Sequence, residues 1–69
     1  MKLNNPSKVR QMLAEKMKWL TIEEISVGLD MSTRTVSKAL SGKPMRPATV
    51  KRFSTQLGVD PTDIATFMS

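Results

Sequence analysis

Between Asp30 and Asp60 the chain carries no carboxylate, yet it places Arg34, Lys38, Lys43, Arg46, Lys51 and Arg52 there. The segment DMSTRTVSKALSGKPMRP, which opens this stretch, interleaves cations with the hydroxyls of Ser32, Thr33, Thr35 and Ser37. A solvated helix face normally mixes both signs of charge. One sign, held together with short hydroxyls, suits an anionic partner, usually nucleic acid or a membrane surface. An arginine fork pairs with guanine O6 and N7, and a threonine bonds a base edge or touches a thymine methyl. Loop lysines and arginines neutralise phosphates. The acids Glu15, Glu23, Glu24 and Asp63 lie outside the stretch, within a chain of net charge +5.

Other chemistries lack their residues. The chain has no histidine and no cysteine. The commonest general base, the commonest metal ligand, disulfides and zinc–thiolate sites are therefore missing. There is no glycine-rich phosphate cradle and no paired-carboxylate constellation, since Glu23 and Glu24 belong to a helix start. The expectation is a protein that is not an enzyme and holds neither metal nor cofactor. The N-terminal MKLNNPSKVR lacks the apolar core of a signal peptide, and no apolar run is long enough to span a bilayer. A cytoplasmic chain with no membrane partner is expected. Its 69 residues make one domain, 1–69, of a size that buries only about 60% of its unfolded surface. Such a domain depends on well-packed helices and on self-association.

The elements that must position the basic stretch are all helical by pattern. Asn5-Pro6 reads as an N-cap followed by proline at the first helical position, with Val9, Met12, Leu13, Met17 and Leu20 on one apolar face. Thr21 to Glu24 is a capping box that opens a second helix, whose Ile25 and Leu29 point inward. Asp30, tolerant of the left-handed region, breaks that helix. Ser32 caps a third helix from about Thr33 to Leu40, with Val36, Ala39 and Leu40 apolar. Pro47 starts a fourth, which buries Val50, Phe53 and Leu57 and stops at Gly58, with Val59 as the contact beyond the cap. Asp60, Pro61 and Asp63 start a fifth helix carrying Ile64, Phe67 and Met68. No strand pattern is evident. Trp19 is expected to cover the edge of the core. Of the adjacent Lys51 and Arg52, at most one faces an anionic partner.

Two short helices joined by a tight turn, about 21–41, match the helix-turn-helix used for DNA recognition. Close crossing requires a small residue on the first helix, and Ser26 supplies it. The turn requires a residue tolerant of positive φ, and Asp30 supplies it. From KWLTIEEISVGLDMSTRTVSKALSGKPMRPATVKRFSTQLGVDPTDIA the chain resembles the Cro/phage-repressor-type helix-turn-helix family over about residues 9 to 67. TVSKAL also resembles the DNA-binding headpiece of the lactose-repressor family. Where the family usually has Gln after the capping Thr, this chain has Ile22. Where it has the turn Gly it has Asp30, near the end of the recognition helix it has Leu40 for Glu, and after helix one it has Trp19 for Gly.

The resemblance implies an all-α, compact, five-helix domain of the lambda-repressor-like kind. It implies a Cro-like transcriptional repressor, phage or bacterial, that binds a near-palindromic double-stranded DNA operator as a homodimer. It assigns Thr33, Arg34 and Lys38 to base reading. Thr21, Ser32, Thr35, Ser37, Lys43 and Arg46 are expected at phosphates, and Met45, Phe67 and Met68 at the dimer interface. A second reading keeps the fold but makes the chain a modulator that binds another protein, such as a repressor, through exposed Ile22 and Val27.

Overall fold

The computed structural model describes residues 1–66. Among them the order is β1 (Lys2–Leu3), α1 (Pro6–Met17), α2 (Ile22–Leu29), α3 (Thr33–Leu40), α4 (Pro47–Leu57), α5 (Pro61–Ile64) and β2 (Ala65–Thr66). The fold is mostly helical, with five helices and one small sheet of two strands.

Local chemistry sets each boundary. The Asn5 side chain accepts from the Lys8 N–H, with Pro6 at the first helical position of α1. Thr21 and Glu24 form a reciprocal capping box on α2. Ser32 accepts from the Thr35 N–H at the start of α3. Asp60 and Asp63 repeat the capping box on α5. Helices α1, α2 and α4 end on left-handed residues, Lys18 (φ 63°), Asp30 (φ 55°) and Gly58 (φ 68°). At Gly58 the conformation costs little, whereas Lys18 and Asp30 each carry the Cβ penalty of that region.

One core joins all these elements. Val9 and Leu13 of α1, Ile25 and Leu29 of α2, Val36 and Ala39 of α3, and Val50, Phe53 and Leu57 of α4 are buried together with Ile64. Ser26 is also buried where α2 meets its neighbours, and its hydroxyl donates to the Glu23 carbonyl at 2.8 Å, so no polar group is stranded.

Three expectations need correction. The all-helical reading misses the sheet: Lys2 pairs with Thr66 and Leu3 with Ala65, antiparallel. Strands of two residues are too short for alternation to show, and only the meeting of the two ends creates them. The fifth helix is also shorter than expected. It ends at Ile64, whose carbonyl accepts from the Asn4 N–H at 2.9 Å, and Ala65 turns extended to join β1. Thr66 also donates its hydroxyl to the Asn4 side chain. Phe67 and Met68 lie outside the described residues. Finally, Leu20 does not continue the face of α1. The left-handed turn at Lys18 swings it out to 67% exposure. Trp19 instead lies against the core edge, as expected, with its indole over Gly28 of α2.

Candidate nucleic-acid interface

The α2–turn–α3 unit is held mainly by apolar packing between the two helices, and Met31 in the turn is half-buried against the core. The turn is pinned by the main chain as well: the Met31 N–H donates to the Ser26 carbonyl at 2.9 Å and the Asp30 N–H to Val27 at 3.2 Å. With Val36 and Ala39 turned fully inward, the helical period leaves Thr33, Arg34, Ser37 and Lys38 exposed. These four stand at i, i+1, i+4 and i+5 and so share one outward face with no acidic member. The three candidate base readers are thus brought together. Ser37, expected at phosphate, stands on the same face as they do.

Ser32 and Thr35 are placed differently. Their hydroxyls lie 2.9 Å apart and bond each other, and Ser32 also accepts the Thr35 N–H. Both are occupied in capping α3. Thr35 is half-buried and turns away from that outward face into a cleft of about 400 Å³, lined also by Lys38, Pro44, Met45, Arg46 and Thr49. Lys38 therefore stands at the border between the exposed face and this cleft. Thr49 was not singled out by the sequence. Its signal was a hydroxyl in the first turn of a helix that begins with proline.

Arg46 is the N-cap residue of α4, and that helix has no side-chain cap, unlike the other four. Pro47 brings no N–H to that start, and the Thr49 N–H donates to the Arg46 carbonyl at 3.0 Å, while Arg46 and Thr49 both line the cleft. Lys43 is exposed in the connecting loop. Its N–H donates to the Lys38 carbonyl at 3.1 Å, which fixes the loop against the end of α3. Thr21 is exposed, but its hydroxyl accepts the Glu24 N–H at 3.1 Å, so capping is its role within the fold.

Met45 is half-buried and packs against the core. It exchanges main-chain bonds with Met1, whose carbonyl accepts the Met45 N–H at 2.6 Å and whose amino group donates back at 3.1 Å. Ile22, expected on the surface, is half-buried against the core, because the capping box turns the first residue of α2 inward. Val27 is 82% exposed.

Among the described residues two cationic side chains also bond main-chain carbonyls. Lys16 donates to the Leu57 carbonyl at 3.0 Å, and Arg52 donates to the Leu29 and Asp30 carbonyls at 3.0 and 2.9 Å. Helices α4 and α2 have no basic residue in their own last turns. Each receives one from a neighbouring helix, at the end where the dipole favours it. Both members of the adjacent pair are exposed, and Arg52 is engaged by the carbonyls at the end of α2.

No family model, no curated protein and no solved structure matches the chain. Among the described residues no cluster of acidic or metal-ligating side chains could hold an ion, and no helix is long and apolar enough to cross a membrane.

Proposed function

We propose that this chain is a sequence-specific double-stranded-DNA-binding regulator of the Cro-like repressor kind, with α2 and α3 as a helix-turn-helix in a lambda-repressor-like domain. The observation that carries the reading is the exposed, acid-free face of α3, where Thr33, Arg34, Ser37 and Lys38 stand side by side. A helix with such a face fits the major groove, and arginine near its N-terminal end has the reach for guanine. Lys43 in the loop after α3, and Arg46, which lines the same cleft as Lys38, supply phosphate contacts beside it. Lys38, at the border of the cleft, serves either groove edge or phosphate. Ser32, Thr35 and Thr21 contribute by holding helix starts in place, and main-chain N–H groups there meet phosphate. One α3 reads only a few base pairs, so two copies on a near-palindrome, about 34 Å apart, are needed to select a site. Such a regulator acts in the cytoplasm of a bacterial host.

The test compares two kinds of variant. Arg34→Ala should cost about 1–3 kcal/mol at the preferred site and relax discrimination at one base pair. Lys43→Ala and Arg46→Ala should weaken binding to every sequence and flatten the salt slope by about one unit each. Equal loss on all sequences for Arg34→Ala refutes its assignment as a reader.

A second reading rests on Leu20 and Val27, the exposed large apolar residues among those described, which flank Glu23 and Glu24 in sequence, with Val27 beside Trp19. A modulator that binds another protein, such as a repressor, would use this surface. Val27→Lys would then abolish capture of the partner and leave DNA affinity intact.

A further inference from the structure

We infer that Arg52, on α4, is a positioning residue for DNA reading: it clamps the turn from which α3 springs and so fixes the reading face relative to the phosphate-gripping start of its own helix. The inference rests on the DNA-binding reading above and adds to it a residue that touches no DNA.

The geometry begins with what the turn lacks. Helix α2 ends on Asp30 at φ 55° and ψ 49°, a conformation that a side chain disfavours, and has no cation of its own in its last turn. The carbonyls of Leu29 and Asp30 point out of the helix end. One guanidinium nitrogen of Arg52 takes both, at 3.0 and 2.9 Å. These are charge-assisted bonds to neutral acceptors, stronger than ordinary ones. They bridge residues 22 and 23 positions apart in sequence.

The placement of the clamp gives it a role in reading. Helix α3 is seated chiefly on α2 and α1, and α4 on α1, α2 and α5. The two helices that would face DNA are therefore aligned through α1 and α2, which both of them touch, and through the loop between them. Arg52 joins α4 to the last residue of α2 and the first of the turn, two residues before Ser32 caps α3. Arg46 begins the same helix that Arg52 occupies. When the clamp is released, the grip on phosphate and the reading face are free to shift relative to each other, and base contacts lose alignment before phosphate contacts do.

The test measures affinity for a selected duplex and for a scrambled one, over a range of salt, with wild type, Arg52→Met and Arg52→Lys. For Arg52→Met the ratio of the two affinities should fall about tenfold, the lower range of what one bidentate base contact is worth, while the salt slope stays at its wild-type value. Arg52→Lys keeps the charge on a shorter stem, and its ratio should fall less. Folding is checked by circular dichroism at the temperature of the binding measurement. If Arg52→Met does not fold, Arg52→Lys decides alone. A ratio unchanged in Arg52→Met, or in Arg52→Lys where that variant decides alone, overturns the proposal. So does a slope flattened by about one unit in Arg52→Met with equal loss on both duplexes, since Arg52 would then be a phosphate contact. A wild type without sequence preference is the failure of the DNA-binding reading itself. It would appear before any variant is measured and would remove this proposal with it.

Discussion

Gly28→Ala should destabilise this protein, although alanine is the better helix former by about 1 kcal/mol. The reason is Trp19. Gly28 lies inside α2, and a Cβ built there falls within the indole ring, against Cε2, Cζ2 and Cη2. The ring must move off the helix or the helix must move off the core. An overlap this deep belongs at the upper end of the about 1–3 kcal/mol that overfilling a packed site costs, so the helix-propensity gain is more than offset and a net loss of about 1–2 kcal/mol is expected. In a domain of this size that lowers Tm by roughly 5–15 °C. In a Trp19→Ala background the obstacle is gone, and the same Gly28→Ala change should raise stability by about 0.5–1 kcal/mol. Thermal unfolding of the four proteins by circular dichroism measures both effects and their coupling. The chain has a single tryptophan, so a red shift of its emission in Gly28→Ala reports the displaced ring directly. A stabilising Gly28→Ala in the presence of Trp19, or strict additivity of the two changes, would refute the packing argument.

Three further outcomes follow from local structure. Lys18→Gly should stabilise by about 0.5–1 kcal/mol, because φ 63° there carries a side-chain penalty that glycine lacks; an unchanged or lower midpoint in urea would contradict it. Phe53→Ala, at a site with 0% exposure, should cost about 3–5 kcal/mol and leave this small domain largely unfolded at 37 °C, which a calorimetric scan would show. The Asp60 carboxyl is held below its ordinary value by the Thr62 N–H and hydroxyl, with slight burial opposing. A depressed carboxylate contributes stability above its unfolded pKa and loses it as pH falls through the folded value. The Tm of wild type should therefore drop more steeply than that of Asp60→Ala as pH is lowered through and below the ordinary carboxylate range, and parallel curves would contradict the assignment.

The helix starts were legible because each is written in a few adjacent residues. Asn5-Pro6, Thr21 with Glu24, Ser32, and Asp60 with Asp63 all cap where their types require. The outward face of α3 was legible for the same reason, since Val36 and Ala39 fix which side is inside. What escaped the sequence depends on distant partners. Lys2–Leu3 became a strand only because Ala65–Thr66 arrived beside it. Leu20 has the spacing of an inward residue, but the left-handed Lys18 breaks the phase of α1 before reaching it. Arg52 resembled Lys51 in every local respect, and only the carbonyls at the end of α2 distinguish them. Gly28 gave no signal, because the ring that excludes a side chain there belongs to a residue before the helix begins.

The central claim is that the outward face of α3 reads DNA sequence. Selection of bound duplexes from a random pool at about 150 mM salt, followed by competition between the selected and scrambled duplexes, tests it most directly. The account predicts a near-palindromic preferred site bound cooperatively by two chains, roughly 10³-fold or more tighter than scrambled duplex. Equal affinity for every duplex, with no enriched sequence after repeated selection, would contradict it.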